Sequence, residues 1–140
     1  MVPAGGLQEF RWPVRIYYED TDAAGIVYHA NYLRFMERAR TEWLRQAGFE
    51  QTELAETFGV VFVVRKISID YLRPARFNDE ITVVSTVPRR GRARLEFAQY
   101  IEADGDILCR ARVKVGCVDV QSMRPVAMPV EIYTEICNAS

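Results

Sequence analysis

The apolar positions of this chain change period along its length, and each change marks an element. From residue 10 to 19 they alternate: Trp12, Val14, Ile16 and Tyr18 share one face, and Arg11, Arg15, Tyr17 and Glu19 the other. This is the period of a half-buried strand. Pro13 belongs near its start or at an edge, because it donates no ladder hydrogen bond. Residues 20–31, DTDAAGIVYHAN, hold too many small and acidic residues for a strand. Then Tyr32, Phe35, Met36, Ala39, Trp43, Leu44 and Ala47 recur at helical spacing, with Arg34, Arg38, Arg40, Glu42 and Arg45 on the other faces. The spacing predicts a helix over about 30–47, roughly 25 Å long at 1.5 Å per residue, closed by Gly48 as a C′ cap.

A short second helix is expected over 50–58. Beyond it the period is two. Val61, Val63, Ile67, Ile69 and Tyr71 define one strand face, with Arg65 an exception on it. Pro74 and Asn78-Asp79 mark a break. Ile81, Val83 and Val87 predict the next strand, Pro88–Gly91 a turn, and Ala93, Leu95, Phe97 and Ile101 another strand. Asp104-Gly105 signals a tight hairpin. Ile107, Cys109, Ala111, Val113, Val115 and Cys117 form one face of a long last strand, and 129–137 is a short helix or an irregular tail. One strand, a long helix and four strands joined by turns describe an α+β domain, its antiparallel sheet packed on the helix. Residues 1–9, rich in Gly and Ala, read as a flexible leader, and 10–140 as a single domain.

Composition narrows the function classes. The 140 residues suit one domain. A formal net charge of −1 argues against general nucleic-acid binding. Cys109, Cys117 and Cys137 show no CxxC spacing, and His29 is the only histidine, so no metal site is expected. An odd cysteine count argues against a secreted disulfide framework. The first residues lack a basic start and an apolar core, so no signal peptide is expected. No apolar run approaches a membrane span. The expected compartment is a reducing cytoplasm.

The chemistry concentrates in the loop from Tyr18 to Asn31. Glu19, Asp20 and Asp22 stand within four residues, and His29 follows seven residues after Asp22, just before the helix. A helix N-terminus offers unpaired N–H groups and partial positive charge, which can hold a developing oxyanion. A carboxylate just upstream can serve as base or nucleophile. Acyl transfer needs both parts.

The segment RWPVRIYYEDTDAAGIVYHANYLRFMERARTEWLR, with its D-x-D-x-x-G-I-V-Y-H-A-N-Y motif, resembles the hotdog-fold acyl-CoA thioesterases related to 4-hydroxybenzoyl-CoA thioesterase, most closely their Tol-Pal-associated branch. FVVRKISIDYLRPARFND and VKVGCVDVQSMRPVAMP fit the same branch, so the resemblance spans about residues 10–130. It implies a curved antiparallel sheet of about five strands wrapped around one long helix. It also implies a homodimer or homotetramer with its active site at the subunit interface, and an acyl group carried on coenzyme A or acyl carrier protein, with no cofactor and no membrane insertion. The family's catalytic carboxylate matches Asp22, and in the closest branch catalytic or supporting roles match His29 and Tyr18. In the 4-hydroxybenzoyl enzyme the backbone N–H at the position of His29 holds the thioester carbonyl. That enzyme has tyrosine there, so histidine in this chain makes an aromatic substrate less favoured.

Each residue also has a plainer reading. Asp22 can be a turn carboxylate, His29 a packed or capping side chain, and Tyr18 a core residue beside Val14 and Ile16. Asp20 and Glu19 are expected to be solvated or structural. Glu37, on the long helix, is the next carboxylate in line. The cluster Arg89-Arg90-Gly91-Arg92-Ala93-Arg94 suits the phosphates of coenzyme A, with Arg89, Arg90 and Arg92 the best placed and Arg65 and Lys66 weaker. Two rival classes are a dehydratase of 3-hydroxyacyl thioesters and a non-catalytic acyl-CoA-binding scaffold.

Overall fold

The computed structural model describes residues 7–140. Of the leader expected over 1–9, residues 1–6 lie outside the described residues, and 7–9 carry no regular structure. Strand β1 (Phe10–Arg15) is followed by a 3-10 turn at Tyr18–Asp20 and then helix α1 (Asn31–Gln46). A helical turn, α2 (Gln51–Glu53), runs on as a π-turn to Phe58. Strands β2 (Val60–Tyr71), β3 (Glu80–Arg90), β4 (Arg94–Ala103) and β5 (Asp106–Asp119) follow, and of the helix or tail expected at the end the structure has the helix, α3 (Val130–Ala139).

All five strands join one antiparallel sheet in the order β1-β3-β4-β5-β2. One face of that sheet packs on the apolar stripe of α1. Phe35, Met36, Ala39 and Trp43 meet Ile81, Val83, Leu95, Phe97, Ile101, Val113 and Val115 in a single buried cluster. Fully burying one such side chain stabilises by roughly 1.5–3 kcal/mol, so the cluster holds the helix against the sheet. The helix ends as its glycine predicts. Gly48 has φ +106°, its N–H donates to the Arg45 carbonyl, and the Phe49 N–H donates to the Leu44 carbonyl. That pair of bonds is a Schellman close. Asp104 (φ +52°) and Gly105 (φ +83°) form the two-residue hairpin between β4 and β5, both in the conformation a type I′ turn requires.

Four local expectations are corrected. The first strand stops at Arg15 rather than 19, because the Ile16 N–H turns to the Asp79 carbonyl and the Tyr17 N–H to the Asp20 carboxylate. Tyr18 therefore leaves the apolar face and is 75% exposed. In β2, Val61 and Val63 do not share a face with Ile67, Ile69 and Tyr71. A bulge at Arg65 inserts one residue, so Phe62 and Val64 stand opposite Cys117 and Val115, while Ile67, Ile69 and Tyr71 stand opposite Val113, Ala111 and Cys109. The apparent exception at Arg65 was the bulge itself. Gly116 leaves room for it, since a Cβ there would meet Arg65 Cδ at 2.8 Å. The turn expected at Pro88–Gly91 lies later: β3 has a bulge between Thr86 and Arg89 and continues through Arg90, paired with Leu95. Ile107 also leaves the face of Cys109, because a register shift places it opposite Glu102.

One polar side chain sits inside the apolar contact of α1 with the sheet. Gln99, on β4, is 2% exposed. Its amide nitrogen donates to the Met36 carbonyl at 3.0 Å and to Ser85 Oγ at 2.9 Å, and its oxygen accepts from Arg40 Nη1 at 2.8 Å. A satisfied buried network fixes one registration of helix on sheet, whereas its loss strands polar groups. Replacing Gln99 with Leu is expected to lower unfolding free energy in urea by about 2 kcal/mol, the scale of leaving buried partners unbonded.

Candidate active site

The loop between β1 and α1 is shaped by its first aspartate. Asp20 is 9% exposed. Its carboxylate accepts from the Tyr17 N–H at 2.9 Å and from Asn31 Nδ2 at 3.1 Å, and its carbonyl accepts from the Tyr28 N–H at 2.9 Å. One residue thus ties the end of β1, the far side of the loop and the first residue of α1. Between these ties the chain makes a small hairpin, with Thr21 bridged to Val27 and a turn at Asp22–Gly25. Gly25 has φ +78°, a conformation that disfavours any residue with a Cβ. The loop also docks on the segment before β3. The Val27 N–H donates to the Ala75 carbonyl at 2.8 Å, the Ala75 N–H donates to Tyr32 Oη at 2.9 Å, and Ile26 bridges Arg76.

Asp22 stands exposed at the corner of that hairpin. Its Oδ1 accepts from the Ala24 N–H at 2.8 Å, and Oδ2 accepts no hydrogen bond among the described residues. His29 is also exposed, just before Ala30, which begins α1 without any side-chain cap. The Asn31 N–H folds back to the Tyr28 carbonyl, but the His29 N–H donates no hydrogen bond among the described residues. The ring of His29 lies against Tyr28, with centroids 4.6 Å apart, and faces the edge of Tyr71 at 6.0 Å. Tyr71 Oη donates to the His29 carbonyl at 3.0 Å. Burial pushes the Tyr71 hydroxyl above the ordinary phenol range, which keeps it a donor. An exposed carboxylate and an unpaired N–H at a helix start therefore share one pinned loop.

The remaining expected residues are placed less uniformly. Tyr18 sits on the same loop, but its ring stacks on Phe77 at 4.0 Å, and no hydrogen bond joins it to Asp22. The arginines lie at the opposite end of the sheet. The β3–β4 turn stands level with Val63 of β2 through Arg94 and Gly116, about 23 Å along the sheet from Tyr71 at 3.3 Å per ladder step. There Arg89, Arg90, Arg94 and Lys114 surround a groove of 640 Å³ whose edge includes Tyr133 of α3. Arg89 is exposed and lies 3.7 Å from Glu96, and Arg90 Nε reaches Cys137 Sγ at 3.1 Å. Arg92 is engaged structurally: its guanidinium lies over the Tyr133 ring at 5.0 Å and donates to the Met128 carbonyl at 2.8 Å. A second cavity, of 340 Å³, opens between α1 and the sheet beside Glu37, Thr41, Gln51 and Val64.

Sequence reading missed Tyr71, Lys114 and the pairing of Asp20 with Asn31, and it ranked Arg94 below the three arginines before it. Tyr71 is the last apolar position of its strand, so its signal was indistinguishable from packing. Replacing Asp20 with Ala leaves the Tyr17 N–H and the Asn31 amide without their acceptor. It is expected to cost about 1–3 kcal/mol in urea unfolding and to speed amide hydrogen exchange at Tyr17 and Tyr28.

The sequence pattern of the thioesterase-like superfamily matches residues 16–136. The acyl-CoA thioesterase YbgC of Haemophilus influenzae is 47% identical over 123 residues, covering 88% of this chain and 90% of that protein. The acyl-CoA thioester hydrolase YbgC of Escherichia coli is 48% identical over 128 residues, covering 90% and 94%. Among solved structures, a probable thioesterase from Bartonella henselae superposes with a TM-score of 0.80 at 36% identity, covering 89% of this chain and all of that one.

Proposed function

Since the chain belongs to the thioesterase-like superfamily, we propose that it hydrolyses acyl-coenzyme A thioesters on the loop that carries Asp22 and His29. The observation that supports this most directly is the His29 N–H, which has no acceptor among the described residues and stands at an uncapped helix start on the same loop as an exposed carboxylate. In the proposed reaction this N–H and the positive end of α1 polarise the thioester carbonyl. Asp22 either attacks the carbonyl carbon, giving a mixed anhydride that water opens, or takes a proton from the attacking water. The C–S bond breaks and the thiol leaves protonated. His29 supplies that proton or positions the water, Tyr71 steadies the His29 peptide, and Tyr18 borders the loop. These groups need no cofactor.

The two ends of the site belong to different protomers in this reading. The Phe62 N–H and carbonyl bond the Gln51 amide on the open edge of β2. The register with β5 turns the main-chain groups of Val64, Ile67, Ile69 and Tyr71 toward that same edge. Long open edges invite another strand. Two such edges, antiparallel and blocked by Gln51 at Phe62, centre near Ile67 and bring Tyr71 beside the partner's Val64. A dimer so formed carries the arginine groove of one chain toward the Asp22 loop of the other. Coenzyme A phosphates then meet Arg89 and Arg90, with Arg92 holding the turn against α3. The Cys109, Cys117 and Cys137 thiols are free, which fits a reducing cytoplasm.

A thiol-release panel of short, long and aromatic acyl-CoAs tests the reaction. Asp22→Asn is expected to lose at least about 10²-fold in kcat, the scale of a general base. Full turnover by that variant would sink the assignment. Tight acyl-CoA binding without thiol release would indicate a scaffold, and enoyl absorbance from 3-hydroxyacyl substrates a dehydratase. For the assembly, sedimentation is expected to show two chains or a multiple of two. Ile67→Pro removes an edge N–H without touching the β5 ladder and is expected to release monomers.

A further inference from the structure

The 340 Å³ cavity between α1 and the sheet carries a charge that neither the fold nor the proposed chemistry uses. Its walls are largely apolar, formed by Trp43, Leu44, Phe62, Leu95, Phe97 and Val115. Arg40 projects into it from α1. The Arg40 side chain is half-buried, and that burial lowers its proton affinity. Glu37 is the carboxylate that opposes this effect, yet no carboxylate lies within 4 Å of Arg40 among the described residues. The one side-chain bond of Arg40 runs to Gln99, whose amide is held in turn by Ser85 and the Met36 carbonyl. The guanidinium is therefore fixed in direction, with donors to spare. Burying a cation without a counter-ion is costly, and a fork of fixed geometry suits a carboxylate.

We propose that this cavity is the acyl pocket, and that Arg40 selects acyl groups ending in a carboxylate, the monothioesters of short dicarboxylic acids. The inference rests on the proposed hydrolysis and on the two-protomer site. The mouth of the cavity includes the exposed residues Glu37, Thr41, Gln51 and Val64, and the paired β2 edges set Val64 beside the Tyr71 and His29 of the other protomer. An acyl chain whose thioester lies on one protomer's loop thus enters the other protomer's cavity with its far end toward Arg40. At 340 Å³ the cavity is near the small end of ligand pockets, which favours a short chain. Hydrolysis is otherwise unchanged: water supplies the new C–O bond, the C–S bond breaks, and free dicarboxylate and thiol leave.

Glutaryl-CoA and pentanoyl-CoA isolate the effect, since their acyl groups have equal carbon counts and differ in a terminal carboxylate against a methyl. The wild-type chain is expected to favour glutaryl-CoA in kcat/KM by about tenfold, the scale of one charge-assisted hydrogen bond. Arg40→Met is expected to bring that ratio to one or below, with Arg40→Lys between. Glu37→Gln, at an exposed position that does not burden folding, is expected to raise the ratio by lowering the KM for glutaryl-CoA. That second variant keeps the test decisive if Arg40→Met does not fold. Turnover of pentanoyl-CoA with a wild-type ratio at or below one, or a ratio indifferent to these variants, overturns the role of Arg40 and leaves the hydrolase reading intact. Absence of thiol release from every acyl-CoA overturns both.

Discussion

The buried carboxylate of Asp20 is the constraint on which the candidate site depends. A carboxylate taken out of water is costly unless its oxygens are bonded, and Asp20 meets that requirement only when the end of β1 and the start of α1 stand where they do. The Tyr17 N–H and the Asn31 amide come from opposite sides of the loop, and both converge on the same side chain. The hairpin bearing Asp22 is what remains between these fixed points. The two aspartates of the D-x-D motif therefore do opposite work. The buried one determines where the loop is, and the exposed one is left with an oxygen that no described group engages.

The sheet gives the loop its distance from everything else. Strand β2 runs from the arginine turn to Tyr71, and the bulge at Arg65 decides which of its residues face α1. Without the extra residue, Phe62 and Val64 would point away from the helix while Ile67 and Ile69 pointed toward it, because one residue of slip turns every later side chain over. With it, one apolar face persists along the whole strand. Gly116 permits this by leaving its own face empty for the Arg65 side chain. A local irregularity thus preserves a global face, and the open edge of β2 remains long enough to meet a second copy.

Much of this was legible in the sequence, for identifiable reasons. The long helix, the Asp104-Gly105 hairpin and the alternation in β4 and β5 were readable because period and turn chemistry are local properties. The extent of β1, the faces of β2 and the place of the β3–β4 turn were not. Each depends on a partner distant in sequence: Asp79 for Ile16, Gly116 for Arg65, Leu95 for Arg90. The same division holds for the site. Asp22 and His29 could be singled out as candidates because loop and helix start are contiguous. The arginines were visible as a charge cluster, but not as a groove on the far end of the sheet, nor with Arg92 already occupied by Tyr133 and Met128. Tyr18 was misplaced because a strand was assumed to continue through residues that Asp20 turns aside.

The interior of the helix–sheet contact shows where this legibility ends. Arg40 reads in sequence as one more basic residue on the polar side of an amphipathic helix, and Gln99 as a polar interruption in an alternating strand. Only the fold sets them 2.8 Å apart beside a cavity. Their pairing is not explained by stability alone, since apolar residues of similar volume would fill the same space without desolvating a charge. The bonds from Gln99 to Met36 and Ser85 account for the glutamine, which registers the helix on the sheet. They do not account for the arginine, which makes one side-chain hydrogen bond among the described residues and lines the cavity with donors to spare. That charge is held there against its desolvation cost, with no carboxylate within 4 Å among the described residues, and the proposed terminal carboxylate of the substrate is the partner that would offset the cost.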